Sequence, residues 1–525
     1  MKLSVRVPLL FLMSALAIFL LMANSIGLYD EGIMLTGAMR VMAGDVIHRD
    51  FYANYGPGQF YALAGLFQVF GQSVLVERWW DVAVRSGIVV CLYLLLAPRT
   101  RPALAWLGAA IGAFWLASVG DPAYPVYPAL LLSLVAVLLL ARSLETGEPR
   151  LAGFAGACVA GVTLFRYDVG FFALCGLTLG ALAAMWLDLQ RDRLDAPRLA
   201  PTLKALVGTA GGLVLALLLF YAALGAFPDF LFDVVFFPSQ YYARTRSLPF
   251  PTPAQWWDAG APPVALAIYL PLVACAAGAY GLWSGARSQV ANPGARVVTF
   301  LLVPLVAFFY LKGTVRVSLQ HVQLALIPSV ALAALAWELA PSRPSRAIVG
   351  VLFALNLVAA GQCALDRATA PMIAARQWPE AGLGLFSREV GYSDPNRAAA
   401  VVYLAKHAPK GDRVFIGLMQ HDRVFVNDVS AYFTSGLQPA TKWHHFDPGL
   451  QTSAYTQAEM VKELRAHPPE YAWVESTFEG AREPNDSAKS SGVFLLDQYL
   501  RSAYDPVAMF GTIAILKRKP EPAKP

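Results

Sequence analysis

About eleven apolar stretches fill the first 363 residues, and that many cannot share one water-soluble core. They run at about 7–28, 76–97, 103–119, 126–141, 151–165, 169–187, 202–227, 262–283, 297–311, 319–337 and 347–363, most of them near the roughly 20 residues that cross a bilayer. Of the 525 residues, 57% are hydrophobic and 14% charged, against about 25% charged in an ordinary soluble domain. The expected fold is therefore a polytopic all-α membrane domain carrying a smaller soluble part. The first span could instead be a signal peptide cut near Ala23-Asn24-Ser25. Its length and the many equally apolar spans behind it favour a membrane anchor.

The formal charge of +6 does not point to nucleic acid, because the basic residues form no groove-like run. They sit in alternate short loops: Arg99 and Arg101; Arg142 and Arg150; Arg191, Arg193, Arg198 and Lys204; Arg287 and Arg296; Arg343 and Arg346. The positive-inside rule puts these loops and the N-terminus in the cytoplasm. An odd number of spans then leaves the C-terminal part on the other side, which in a bacterial inner membrane is the periplasm. The opposite loops carry mixed charge, aromatics and prolines, and two are long, at 29–75 and 228–261.

Beyond residue 363 the texture changes. Strand-like runs at 413–418, 471–475 and 512–516 alternate with helical patterns near 396–408, 456–467 and 493–503. This predicts two domains: a transmembrane domain over 1–363 and a periplasmic α/β domain over 364–525. All five cysteines lie at or before Cys363, so the second domain has neither a disulfide framework nor a thiolate metal site.

The first long loop holds most of the candidate chemistry. Tyr29-Asp30-Glu31-Gly32 follows the first span, then an amphipathic segment, then Asp45, His48, Arg49 and Asp50, then Tyr55-Gly56-Pro57-Gly58. A carboxylate at the membrane surface, within reach of a lipid headgroup, is placed to deprotonate an incoming hydroxyl. The plainer reading is that the acids open the next helix, where the dipole favours negative charge. One acid can do each.

This order of features, ending in a Gly/Pro-rich entry to an aromatic helix and a Phe70-Gly71 turn, resembles the GT-C glycosyltransferases. Within them it resembles the protein-mannosyltransferase and aminoarabinose-transferase branch with its RgtA/B/C/D-like members. Gly56-Pro57-Gly58 stands where many of them have a Pro-Pro pair. The resemblance implies a polyprenyl-phosphate sugar donor and transfer outside the cytoplasm to a glycan, lipid or protein acceptor. It implies that Asp30 is the base, with Glu31 and Asp50 tuning it or binding the acceptor.

A departing phosphate needs cations. Arg316 and His321 lead that expectation, with Lys312 beside them and Arg244 or Arg246 closing over the site. Arg166, Asp168 and Tyr55 are further candidates; alternatively the first two only anchor an interfacial turn, too close in sequence to face each other on a helix. No cofactor is expected: the runs His421-Asp422-Arg423, Asn427-Asp428 and Trp443-His444-His445-Phe446 invite a divalent metal, yet their spacing is no recognised ligand set. Competing functions are a transporter or flippase of lipid-linked sugars, and an O-antigen ligase or polymerase. The first should show repeated halves and mid-span ionisable residues, the second a large outer loop between late spans.

Overall fold

The computed structural model of the chain describes residues 3–189, 199–252, 254, 262–285, 292–369 and 390–520. Nine described helices are long and apolar enough to cross a bilayer: α1 (Leu3–Leu21), α4 (Val74–Leu96), α6 (Val126–Thr146), α8 (Tyr167–Leu189), α9 (Leu199–Ala223), α10 (Val264–Ser284), α11 (Pro293–Gly313), α12 (Leu319–Leu339) and α13 (Arg343–Thr369). Two shorter apolar helices, α5 (Pro102–Ser118) and α7 (Pro149–Phe165), take the remaining expected positions. The chain is a multi-pass membrane protein. Several starts follow one rule: a proline whose missing N–H is an orphan donor anyway opens α5, α7 and α11. Side-chain caps from Ser73, Asn292 and Ser318 open α4, α11 and α12.

The short basic loops meet at one end of the bundle, where Arg99 pairs with Glu145 at 2.8 Å and Arg101 lies 3.8 Å from Glu338. Arg191, Arg193, Arg198 and Arg287 lie outside the described residues. At the opposite end the first long loop folds into two helices, α2 (Asp30–Met42) and α3 (Pro57–Phe70). The second long loop begins as a helix with π turns over 227–246.

Against those loops sits a five-stranded sheet in the order β2-β1-β3-β5-β4: β1 (Arg413–Leu418), β2 (Gln438–Pro439), β3 (Tyr471–Glu475), β4 (Tyr504–Phe510) and β5 (Ile513–Arg518). β1 runs parallel to β2 and β3, and β5 is antiparallel to β3 and β4. Helices α14 (Pro395–His407), α15 (Ala454–Ala466) and α16 (Leu495–Ala503) accompany it. Three strands match the sequence reading. β2 is only two residues long, and β4 is an edge strand with mostly exposed residues, so neither shows the apolar alternation that marks a half-buried strand.

Main-chain bonds weld this sheet unit to the first long loop. Ile26 N–H donates to Gly391 O at 2.9 Å, Val429 N–H to Leu28 O at 2.9 Å, and Tyr52 N–H to Lys442 O at 3.1 Å. A Cβ on Gly32 of α2 would lie 2.8 Å from the Val429 carbonyl carbon, so the close seating of α2 on this unit requires glycine.

Candidate active site

Asp30 is the first residue of α2, and its carboxylate accepts a hydrogen bond from the Tyr55 hydroxyl at 2.8 Å. Tyr55 is held in turn by its neighbours. Gly56 N–H donates to Phe165 O at 3.2 Å. A Cβ on Gly56 would collide with Leu164 O, so Gly56-Pro57-Gly58 lies flush on the end of α7. Asp30 remains partly exposed. Its buried surroundings, and secondarily the nearby Asp121, push its carboxyl up to about 6 against the opposing Tyr55 bond and Arg246 charge.

Glu31 has a different fate. It is fully buried, receives Arg78 Nε at 2.7 Å and the Gly27 N–H at 2.5 Å, and so fastens the start of α2 to α4. Arg78 completes its set with Ala23 O and Ser25 O. Asp50 pairs with Arg49 at 2.8 Å and accepts from Val46 N–H at 2.7 Å, which folds its own turn. The structure thus separates the three acids: one faces the site, and two hold the loop.

The cations divide as well. Arg166 follows α7 in an extended conformation (φ −145°, ψ 108°). Two residues on a helix would not meet, but Arg166 has left the helix and grips Asp168 with two bonds of 2.9 and 2.8 Å. It also donates to the Tyr124 hydroxyl at 3.2 Å and stands 5.1 Å from the Tyr55 ring centre. Lys312, at the end of α11, lies 3.7 Å from the same Asp168. Two cations therefore share one carboxylate beside Tyr55.

Lys312 and Arg316 are not on one helical face, because α11 stops at Gly313 and Ser318 caps α12. Arg316 instead forms a bidentate pair with Glu483 of the sheet unit, at 2.7 and 2.5 Å, and donates to Arg246 O at 3.1 Å. His321 Nδ1 lies 2.7 Å from the Ser318 hydroxyl in the first turn of α12. Arg246 is buried against Asp447 at 2.8 Å, and Arg244 is exposed, 3.6 Å from Asp486.

Several residues in this cluster carry no local sequence signal. Asp447 accepts from Arg246, Tyr29 and Tyr52, so one sheet-unit carboxylate ties both long loops together. Glu483 ties the turn between α11 and α12 to the sheet unit through Arg316. Tyr124 and Asp121 come from the short turn between α5 and α6, where an Asp-Pro-Ala-Tyr-Pro run between apolar spans was the available hint.

The histidines named as metal candidates are taken up in packing, and His445 borders the cluster, its ring 4.7 Å from that of Tyr52 and 6.2 Å from that of Tyr29. His421 Nδ1 pairs with Asp497 at 2.9 Å and its Nε2 accepts from Leu418 N–H, inside the sheet unit's core. His444 and His445 are buried among aromatic rings. Among the described residues, no group of three or more His, Cys, Asp or Glu side chains is placed to hold a metal ion.

No protein-family model and no curated protein matches the sequence. Solved structures do match the fold. ArnT from Cupriavidus metallidurans bound to undecaprenyl phosphate superposes with a TM-score of 0.58 at 13% identity over 100% of both chains. Its apo form gives 0.55 at 13% identity, over 98% of each chain. The arabinofuranosyltransferase AftD from Mycobacteria gives 0.51 at 13% identity, over 98% of this chain and 40% of that one. The chain has the fold of the GT-C membrane glycosyltransferases.

Proposed function

We propose that this protein is an inverting glycosyltransferase of the bacterial inner membrane that moves a sugar from a polyprenyl phosphate to an acceptor on the periplasmic face. Asp30 takes the proton from the acceptor hydroxyl. The freed oxygen bonds to the anomeric carbon from the face opposite the donor phosphate. The carbon–oxygen bond to phosphate breaks, and its electron pair leaves with the polyprenyl phosphate. One displacement at one carbon inverts its configuration.

The observation that carries this reading is the Asp30–Tyr55–Arg166–Asp168–Lys312 array. A partly exposed carboxylate is bonded to Tyr55, whose ring lies against Arg166, and Arg166 and Lys312 have the one Asp168 carboxylate between them. The surplus charge suits the second negative charge gained by a leaving phosphate. Arg246 and His321 flank the array. Arg316, paired to Glu483, braces Arg246 through its main-chain carbonyl and contributes by position more than by free charge. The ArnT structure with bound undecaprenyl phosphate, similar in fold, supports a polyprenyl-linked partner.

Gene deletion followed by mass spectrometry of envelope glycans tests the proposal. One glycan should lose a sugar, and the intact gene should restore it while the Asp30→Asn gene does not. An unchanged envelope, or full rescue by Asp30→Asn, would refute it.

A further inference from the structure

A cleft of about 480 Å³ opens between the 227–246 helix and the sheet unit. That size falls within the roughly 300–1,000 Å³ of small-ligand sites. One wall is a stripe on α15: Tyr455, Glu459 and Glu463 are spaced four apart and share a face. The other is Asp229 and Phe232 of the outer helix, with Lys442 and Trp443 forming the floor.

Lys442 joins the walls, its ammonium 2.6 Å from Asp229 and its N–H donating to Glu463 at 2.8 Å. Trp443 is 4% exposed, and its indole N–H has no partner. Three carboxylates thus line the cleft against one ammonium, interleaved with the rings of Phe232, Trp443 and Tyr455.

We infer that this cleft is a saccharide-binding subsite for neutral or amino-bearing sugars, and that it seats the acceptor glycan. A sugar offers flat C–H faces to aromatic rings and hydroxyl donors to carboxylates, and this lining supplies both. An anionic sugar would meet like charge. An acyl chain would offer the carboxylates no further donors and would press apolar surface against charge.

A chain of side-chain contacts links the cleft to Arg246 at the site described above. The Trp443 ring lies 5.6 Å from that of Tyr52, whose hydroxyl donates to Asp447 at 3.0 Å beside Arg246. The assignment of the bound sugar as acceptor rests on the glycosyltransferase reading; the binding itself does not.

Saturation-transfer NMR on the full chain in lipid nanodiscs, with cellobiose, a glucosamine disaccharide, digalacturonate and trilysine as probes, tests it. Cellobiose and the glucosamine disaccharide should bind, and digalacturonate should not. Tyr455→Ala and Glu459→Gln, both at the accessible rim, should each weaken cellobiose binding about five- to ten-fold. Asp30→Asn should leave that binding unchanged, so a failed base assignment would not be mistaken for a failed cleft. No disaccharide signal, equal signal in Tyr455→Ala, or preference for digalacturonate or trilysine would overturn the inference.

Discussion

Asp30 and Glu31 are adjacent acids with opposite environments, and their amides should separate two kinds of loss. Asp30→Asn keeps size and removes the basic oxygen, so turnover should fall about 10²–10⁴-fold with expression and melting temperature little changed. Glu31→Gln leaves Arg78 buried without its full counter-charge, and breaking such a pair costs about 3–5 kcal/mol. Its melting temperature should fall clearly, while correctly folded protein keeps most of its turnover. Reversed phenotypes would exchange the two roles. The Asp30 carboxyl, raised to about 6, is protonated below that pH and cannot accept the acceptor's proton. The rate should therefore rise about tenfold per pH unit below 6 and level off above it. A rate flat from pH 5 to 8 would exclude Asp30 as the base. Sequence alone could place both acids at a helix start. It could not tell them apart, because the distinction comes from Arg78 on α4 and Tyr55 beyond α2.

At the scale of elements, the site depends on how tightly α3 abuts α7. Gly56→Ala inserts a methyl group into Leu164 O, so Tyr55 must move and Asp30 loses its hydrogen-bond donor. A displacement of about 1 Å can lower turnover about 10²-fold. Gly44→Ala serves as a control, because no atom lies within 4 Å of a Cβ there, although its positive φ adds some strain. If the two variants turn over alike, the packing argument fails. Most elements were legible because each has its own pattern: long apolar runs for the spans, and short continuous apolar runs for the buried strands β1, β3 and β5. The Arg166–Asp168 grip was not, since helical spacing argues against it and only the extended backbone at Arg166 allows it. The separation of Lys312 from Arg316 likewise follows from a helix end that residue spacing does not reveal.

Across the whole molecule, the sequence predicts sidedness from its arginines, and the structure gathers Arg99, Glu145 and Glu338 at one end with Asp30, Arg166 and Lys312 at the other. Reporter fusions at Arg142 and Asp412 should therefore report opposite compartments, with Arg142 cytoplasmic; the same side for both would contradict the topology. The bonds from Asp447 to Arg246 and from Glu483 to Arg316 were the least legible part, joining residues more than 160 positions apart. No local pattern encodes a partner that distant. For Asp30 to act as the base, the lipid phosphate must sit on the same face as its carboxylate. The most direct test is a structure of the protein with undecaprenyl phosphate. The phosphate should lie within hydrogen-bonding reach of Arg166 or Lys312, on the same face as Asp30 and with room for one sugar between them. A phosphate bound at the end that holds Arg99 and Glu145 would contradict that role for Asp30.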